Sequence, residues 1–251
     1  MNDSAKDGLI VALDVETARE ARELFARLRD HAGMFKIGSQ LFTAAGPGIV
    51  RELVSAGARV FLDLKFHDIP NTVAGAGVEA ARLGVAIFNV HALGGREMMR
   101  RTREAVAEVS EREGLRRPLL IAVTVLTSAD SAALEEVGLA AGTEAMVRRL
   151  ARLTEECGLD GVVASPNEIG LVRGCVRKRD FLIVTPGVRP TGSAADDQKR
   201  IMTPAEAFGA GADYLVVGRA ILKAPDPQRA LIRIVEEMAQ ARSARNGSGR
   251  F

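Results

Sequence analysis

"VFLDLKFHDIPNTV", residues 60–73, starts as a buried strand and runs into the beginning of a helix. Successive strand side chains point to opposite faces. Leu62, Leu64 and Phe66 therefore share one face, while Phe61, Asp63 and Lys65 share the other. An acid and a base on one face of an apolar strand, with a further acid, Asp68, just beyond, is not how a purely structural strand is written.

The run is one of a series. Short apolar, β-branched-rich stretches recur at 9–14, 34–39, 59–66, 86–92, 118–126, 160–165, 181–187 and 214–220. Segments of helical periodicity lie at 16–28, 47–56, 71–83, 95–113, 142–157, 167–172, 203–210 and 225–241. In the first of these, Ala18, Ala21, Leu24, Phe25 and Leu28 fall on one face. Strands that alternate with helices pair in parallel through crossovers. Eight such units in 251 residues predict an α/β chain folded as a TIM (β/α)8 barrel, one catalytic domain over 1–240 followed by a disordered tail, 241–251. A doubly wound open sheet is the alternative, because periodicity does not distinguish a closed sheet from an open one. The stretch 128–141 reads as a long connection after strand five, and 188–203 as the long Gly/Ser/Asp-rich loop, of a length that is usually functional or mobile.

Composition narrows the function classes. With 34 basic and 32 acidic residues the net charge is +2, which gives no support for a nucleic-acid or membrane-surface partner. The two cysteines, Cys157 and Cys175, allow one disulfide but no framework and no metal knuckle. "MNDSAKDG" is polar and leads straight into a strand, and no apolar run has membrane-span length, so a cytoplasmic protein is expected.

In a TIM barrel the reacting groups gather at the C-terminal ends of the strands. Here those ends carry Asp14, Lys36, Asp63 with Lys65, His91, Thr127, Ser165, and Gly218 with Arg219. If Asp14, Lys36, Asp63 and Lys65 all face inward, two acids and two bases share one barrel mouth, and alternation of sign in space would keep all four ionised. A salt-bridge network that merely caps the barrel is the plain alternative, but burying several charges is an expensive route to stability. Loops after strands seven and eight often form a phosphate site. "TPGVRP" (185–190) and "VVGRAI" (216–221) place Gly187, Arg189, Gly218 and Arg219 there, with Gln198 on the long loop. His67 reads as turned away from Lys65, His91 as a satisfied polar residue at the mouth and His31 as surface. The three histidines form no HExxH pattern.

The pattern Asp63-x-Lys65-x-x-Asp68 in "FLDLKFHDIPNT" closely resembles the signature of the orotidine 5'-phosphate decarboxylases, of bacterial type. "VALD" with Asp14, "FKIG" with Lys36, "VTVLTS" with Thr127, "TPGVRP" with Arg189, "DDQKR" with Gln198 and "VVGRAI" with Arg219 follow in the expected order, so the resemblance spans nearly the whole chain. It implies a homodimeric barrel that converts orotidine 5'-monophosphate to UMP and CO2, with no metal and no organic cofactor. By position it implies that Lys65 donates the proton to C6, Asp63 lies against the substrate carboxylate, and Lys36 and Asp14 hold the ribose. Asp68 and Thr72 would reach the partner's site, Thr127 would read the pyrimidine edge, and Arg219, Gln198 and Gly218, assisted by Arg189, would hold the phosphate. The nearest rivals resemble 3-keto-L-gulonate 6-phosphate decarboxylase or hexulose-6-phosphate synthase, which share the D-x-K-x-x-D strand but use Mg²⁺. A non-catalytic nucleotide-binding barrel is the rival of another class.

Overall fold

The computed structural model describes residues 3–189 and 202–247. Its elements run α1 (Asp3–Asp7), β1 (Leu9–Ala12), α2 (Ala18–Leu28), β2 (Met34–Gly38), α3 (Ser39–Ala45), α4 (Pro47–Ser55), β3 (Val60–Phe66), α5 (Pro70–Arg82) and β4 (Ile87–His91). They continue as α6 (Gly95–Arg112), β5 (Leu119–Val123), α7 (Ser131–Glu136), α8 (Thr143–Glu156), β6 (Gly161–Val163), α9 (Ile169–Arg173), β7 (Leu182–Pro186), α10 (Pro204–Ala210), β8 (Tyr214–Val217), α11 (Arg219–Leu222) and α12 (Pro227–Gly247).

All the strands pair in parallel, each with its sequence neighbour, and β1 closes on β8 through Leu9↔Leu215, Ile10↔Val216 and Val11↔Val217. Closure decides for the TIM barrel and against the open sheet. Strand alternation sorts the apolar side chains into two layers. Ile10, Ala12, Met34, Phe61, Ile87, Ile121, Val184 and Val216 fill the barrel interior. Leu9, Val11, Phe35, Ile37, Val60, Leu62, Phe88, Val90 and Leu215 point outward and are sealed by the helices. Each strand is thus buried on both faces, which is why it reads as a continuous apolar run rather than as an alternating one.

Local chemistry fixes the element ends. Thr17 caps α2 in a reciprocal box with Glu20, and Ala21, Phe25 and Leu28 form the buried face of that helix. At the bottom of the barrel two aspartates clasp neighbouring strands. Asp160 accepts the Leu120 N–H at 2.8 Å and both Arg117 Nη groups at 2.9 Å. Asp213 accepts the Ile183 N–H at 2.7 Å and is paired with Arg173.

Several expectations are corrected. The N-terminal polar stretch forms α1, whose Ala5 is fully buried. The connection 128–141 contains α7, whose N-cap Asp130 accepts the Ala133 N–H. Short α3 and α11, outside the helical segments read from the sequence, follow β2 and β8 directly. β5 ends at Val123, short of the expected 126, and the next residue, Thr124, donates its hydroxyl to the Val163 carbonyl at 3.1 Å. His31 is not a surface residue; it is half-buried, with its Nε2 at 2.9 Å from Gln228 of α12. The last helix reaches Gly247, so the segment assigned to a tail from 241 is helical through that residue, while 248–251 lie outside the described residues. Both cysteines are free and buried. Among the described residues no helix is long and apolar enough to cross a membrane.

Candidate active site

A cavity of about 330 Å³ opens at the C-terminal ends of the strands. Its floor is the top of the interior layer, Ala12, Phe61, Val184 and Val216, joined by Val163. Asp14, Lys36, Asp63 and Lys65 line it together with Gly187, Arg189, Gly218 and Arg219, with Thr127 also on the wall. That volume lies at the lower end of the range for small-molecule sites, about 300–1,000 Å³.

The charges alternate in space as well as in sequence. Asp14 Oδ1 accepts from Lys36 Nζ at 2.9 Å, and the same ammonium lies 3.4 Å from Asp63 Oδ2. Asp63 Oδ1 in turn accepts from Lys65 Nζ at 2.7 Å. The order is acid, base, acid, base. Lys36 and Asp63 are deep, with side chains only 10% and 13% exposed, whereas Asp14 is 53% and Lys65 35% exposed. Burial by itself pushes the Asp63 carboxyl up, but Lys36, Lys65 and the donors on Lys65 and Asn89 outweigh it and hold the group below its ordinary value. Asp63 is therefore a buried carboxylate that stays ionised.

Strand β3 is not the regular strand that alternation assumed. Lys65 has φ 52°, the only positive value at a non-glycine residue among those described. The pairing with β4 is broken between Leu62 and Phe66. Asn89 of β4, which the sequence reading did not single out, sits inside the irregularity. Its Oδ1 accepts the Lys65 N–H at 2.8 Å, and its Nδ2 donates to Asp63 Oδ1 at 2.7 Å. The signal was present: in "IFNVH" the inward parity that carries Ile87 also carries Asn89 and His91. His91 is half-buried, with its ring 5.5 Å from that of His67. Burial, then the neighbouring His67 and Lys65, push the His91 pKa down against the pull of Asp63.

The loop after β7 turns at Gly187, whose φ of 82° suits glycine. A side chain at Gly38 would put its Cβ 3.0 Å from Lys36 Nζ and 3.5 Å from Asp14 Oδ1, so glycine there keeps room for the ion pair. Both ends of the long loop are joined by the Arg189 N–H donating to the Met202 carbonyl at 3.2 Å. Gln198 lies outside the described residues. Asp68 and Thr72 do not line the cavity. Both are exposed at the start of α5, where Asp68 Oδ1 accepts the Ile69 N–H at 2.6 Å, next to the exposed Ile69.

The family pattern of orotidine 5'-phosphate decarboxylase / HUMPS matches residues 7–234. The chain belongs to that family. Its relatives include a protein of Syntrophotalea carbinolica named orotidine 5'-phosphate decarboxylase, 57% identical over 94% of this chain and 97% of the relative. A protein of the same name from Geobacter sulfurreducens is 55% identical over 94% of this chain and 98% of the relative. The crystal structure of orotidine 5'-phosphate decarboxylase from Lactobacillus acidophilus superposes with TM-score 0.80 at 35% identity, over 92% of this chain and 98% of that one. Membership of the orotidine 5'-phosphate decarboxylase / HUMPS family covers the whole barrel, and the residues that line the cavity all fall within the matched span.

Proposed function

We propose that this chain decarboxylates orotidine 5'-monophosphate to UMP and CO2, the closing step of pyrimidine nucleotide synthesis, without metal or organic cofactor. The observation that carries the reading is the Asp14–Lys36–Asp63–Lys65 array lining one cavity together with Gly187, Arg189, Gly218 and Arg219. Relatives over half identical, named for that activity, support it.

In this reading the phosphate lies between Arg219, Arg189 and Gly218, and the family pattern adds Gln198 as a further phosphate ligand. Asp14 and Lys36 hold the ribose hydroxyls, and Thr127 reads the pyrimidine edge. The C6–carboxylate bond breaks, CO2 leaves, and the electron pair stays on C6. The Lys65 ammonium then gives a proton to C6, and the resulting amine regains one from water. A fixed ammonium stabilises the carbanion as its charge develops, so its interaction is worth more in the transition state than with bound substrate. Asp63 keeps that ammonium aimed and lies against the departing carboxylate. Two chains form a homodimer in which Asp68 and Thr72 reach the neighbouring cavity. Their exposure, with that of the adjoining Ile69, supports this placement. The cytoplasm is the proposed location.

The test is the ultraviolet change on mixing purified protein with orotidine 5'-monophosphate, with and without EDTA. Rapid turnover that EDTA leaves intact, and that Lys65→Ala abolishes without unfolding, is expected. No turnover by folded protein, or turnover that EDTA stops, moves the chemistry to the Mg²⁺-dependent sugar-phosphate relatives or to nucleotide binding alone.

A further inference from the structure

Asn89 is fully buried, yet it is absent from the cavity wall among the described residues. Whatever it does for the chemistry, it does through other side chains. Its two contacts both end on the charged strand. The backbone of β3 advances from Leu62 to Phe66 while its partner advances only from Phe88 to Val90, so β3 holds two extra residues there. That slack is taken up around Lys65, in the left-handed region that an L side chain rarely adopts. An N–H in such a bulge has lost its ladder partner. Asn89 Oδ1 supplies the replacement at 2.8 Å, and Asn89 Nδ2 holds Asp63 Oδ1 at 2.7 Å. The same Asp63 oxygen accepts the Lys65 ammonium at 2.7 Å. A closed ring results: Lys65 backbone, Asn89, Asp63, Lys65 side chain. Flipping the carboxamide would set N–H against N–H and oxygen against carboxylate, so its partners fix its orientation.

We infer that Asn89 is a positioning residue for the proposed reaction: its carboxamide holds the β3 bulge that presents the Lys65 ammonium and fixes the Asp63 carboxylate against it. The inference rests on the decarboxylase reading for its kinetic consequence but not for its structural one. An apolar residue at 89 fills the space and leaves two buried groups short of a partner, the Lys65 N–H and one lone pair of Asp63. The bulge then has nothing to oppose a return to regular register, and the ammonium moves relative to C6. The phosphate grip, on β7 and β8, is untouched.

The experiment uses Asn89→Leu and the isosteric Asn89→Asp in the full chain. For Asn89→Leu, kcat for orotidine 5'-monophosphate falls about 10- to 100-fold while KM stays within about threefold. A fall in kcat under about threefold, or a parallel loss of UMP affinity, overturns the inference. Asn89→Asp keeps the acceptor for Lys65 N–H but sets a second carboxylate beside Asp63. Protonation of that pair restores the donor, so the variant's kcat relative to the unaltered enzyme rises at least about tenfold from about pH 8 to about pH 5. Lys36 on β2, Lys65 on β3, His91 on β4 and the adjoining His67 titrate in both proteins, so the pH profile of the unaltered enzyme is the reference against which the ratio is read. A ratio independent of pH overturns the inference even if Asn89→Leu fails to fold. The crystal structure of a folded variant reads the claim without any substrate. Lys65 leaving the left-handed region, with its ammonium off Asp63, supports it; an unchanged Lys65 overturns it. If the unaltered protein does not convert the substrate, the decarboxylase reading fails, and this structural arm still decides the role of Asn89.

Discussion

Replacing Lys36 by Met removes the cation at the centre of the array and leaves a chain of similar length in its place. The ammonium stands 3.4 Å from Asp63 Oδ2, where an effective dielectric near 20 gives an attraction of about 5 kcal/mol. Its contact with Asp14 is mostly solvated and adds no more than about 1 kcal/mol. Against these stands the desolvation of a lysine that is only 10% exposed, several kcal/mol in typical proteins. Lys65 still partners Asp63 after the change, which keeps the loss below that of a fully orphaned charge. The expected net destabilisation at neutral pH is about 3 kcal/mol, a Tm fall of about 6–12 °C for a chain of this size. Its pH dependence identifies the cause. In the unaltered protein the Asp63 carboxyl sits below its ordinary value, so its contribution is complete above the unfolded pKa and is lost only as pH falls through the lower folded one. Without Lys36 the burial penalty on that carboxylate is opposed only by Lys65 and Asn89, so Asp63 takes up its proton at higher pH than in the unaltered protein and protonation relieves the variant sooner as pH falls from about 7 towards about 4. The gap in Tm between the two proteins therefore narrows in acid, measured by circular dichroism melts. Adding Asp63→Asn removes the group that needed the cation, so the double variant loses less than the sum of the singles. A gap constant across that range, or strict additivity, would refute the claim that Lys36 acts by pairing with Asp63.

Arg219→Ala should lower kcat/KM by at least about 100-fold in the decarboxylation assay while Tm stays within about 2 °C, since the side chain is exposed at the cavity rim; an unchanged kcat/KM rejects the phosphate assignment. Asp160→Asn, which breaks the Arg117 fork far from the cavity, should cost about 2–3 kcal/mol in urea unfolding and leave kcat unchanged. The lowered His91 pKa means that the unfolded chain takes up a proton first, so stability is lost as pH falls from about 6.5 through the lower folded value. His91→Gln should flatten that part of the Tm profile, and a slope identical to that of the unaltered protein would show that His91 does not contribute.

The sequence alone determined the layering of this protein. Apolar runs of strand length separated by amphipathic helices force parallel pairing, because a crossover helix can only return the chain in the same direction. It also determined which residues would crowd one end, since parallel strands all place their C-terminal ends on one side, and inward parity followed from Ile10, Met34 and Phe61. Closure was a different matter. The pairing of Val11 with Val217 joins residues from opposite ends of the chain, and no local pattern encodes it. The geometry of β3 was equally hidden. Alternation placed Asp63 and Lys65 together by assuming a regular strand, whereas the tertiary structure brings them to the mouth through a left-handed Lys65 and two extra residues. That conformation exists because a buried amide on the next strand satisfies the freed N–H, a contact between Lys65 and Asn89 that depends on the register of β3 against β4 and so appears only when the barrel is assembled.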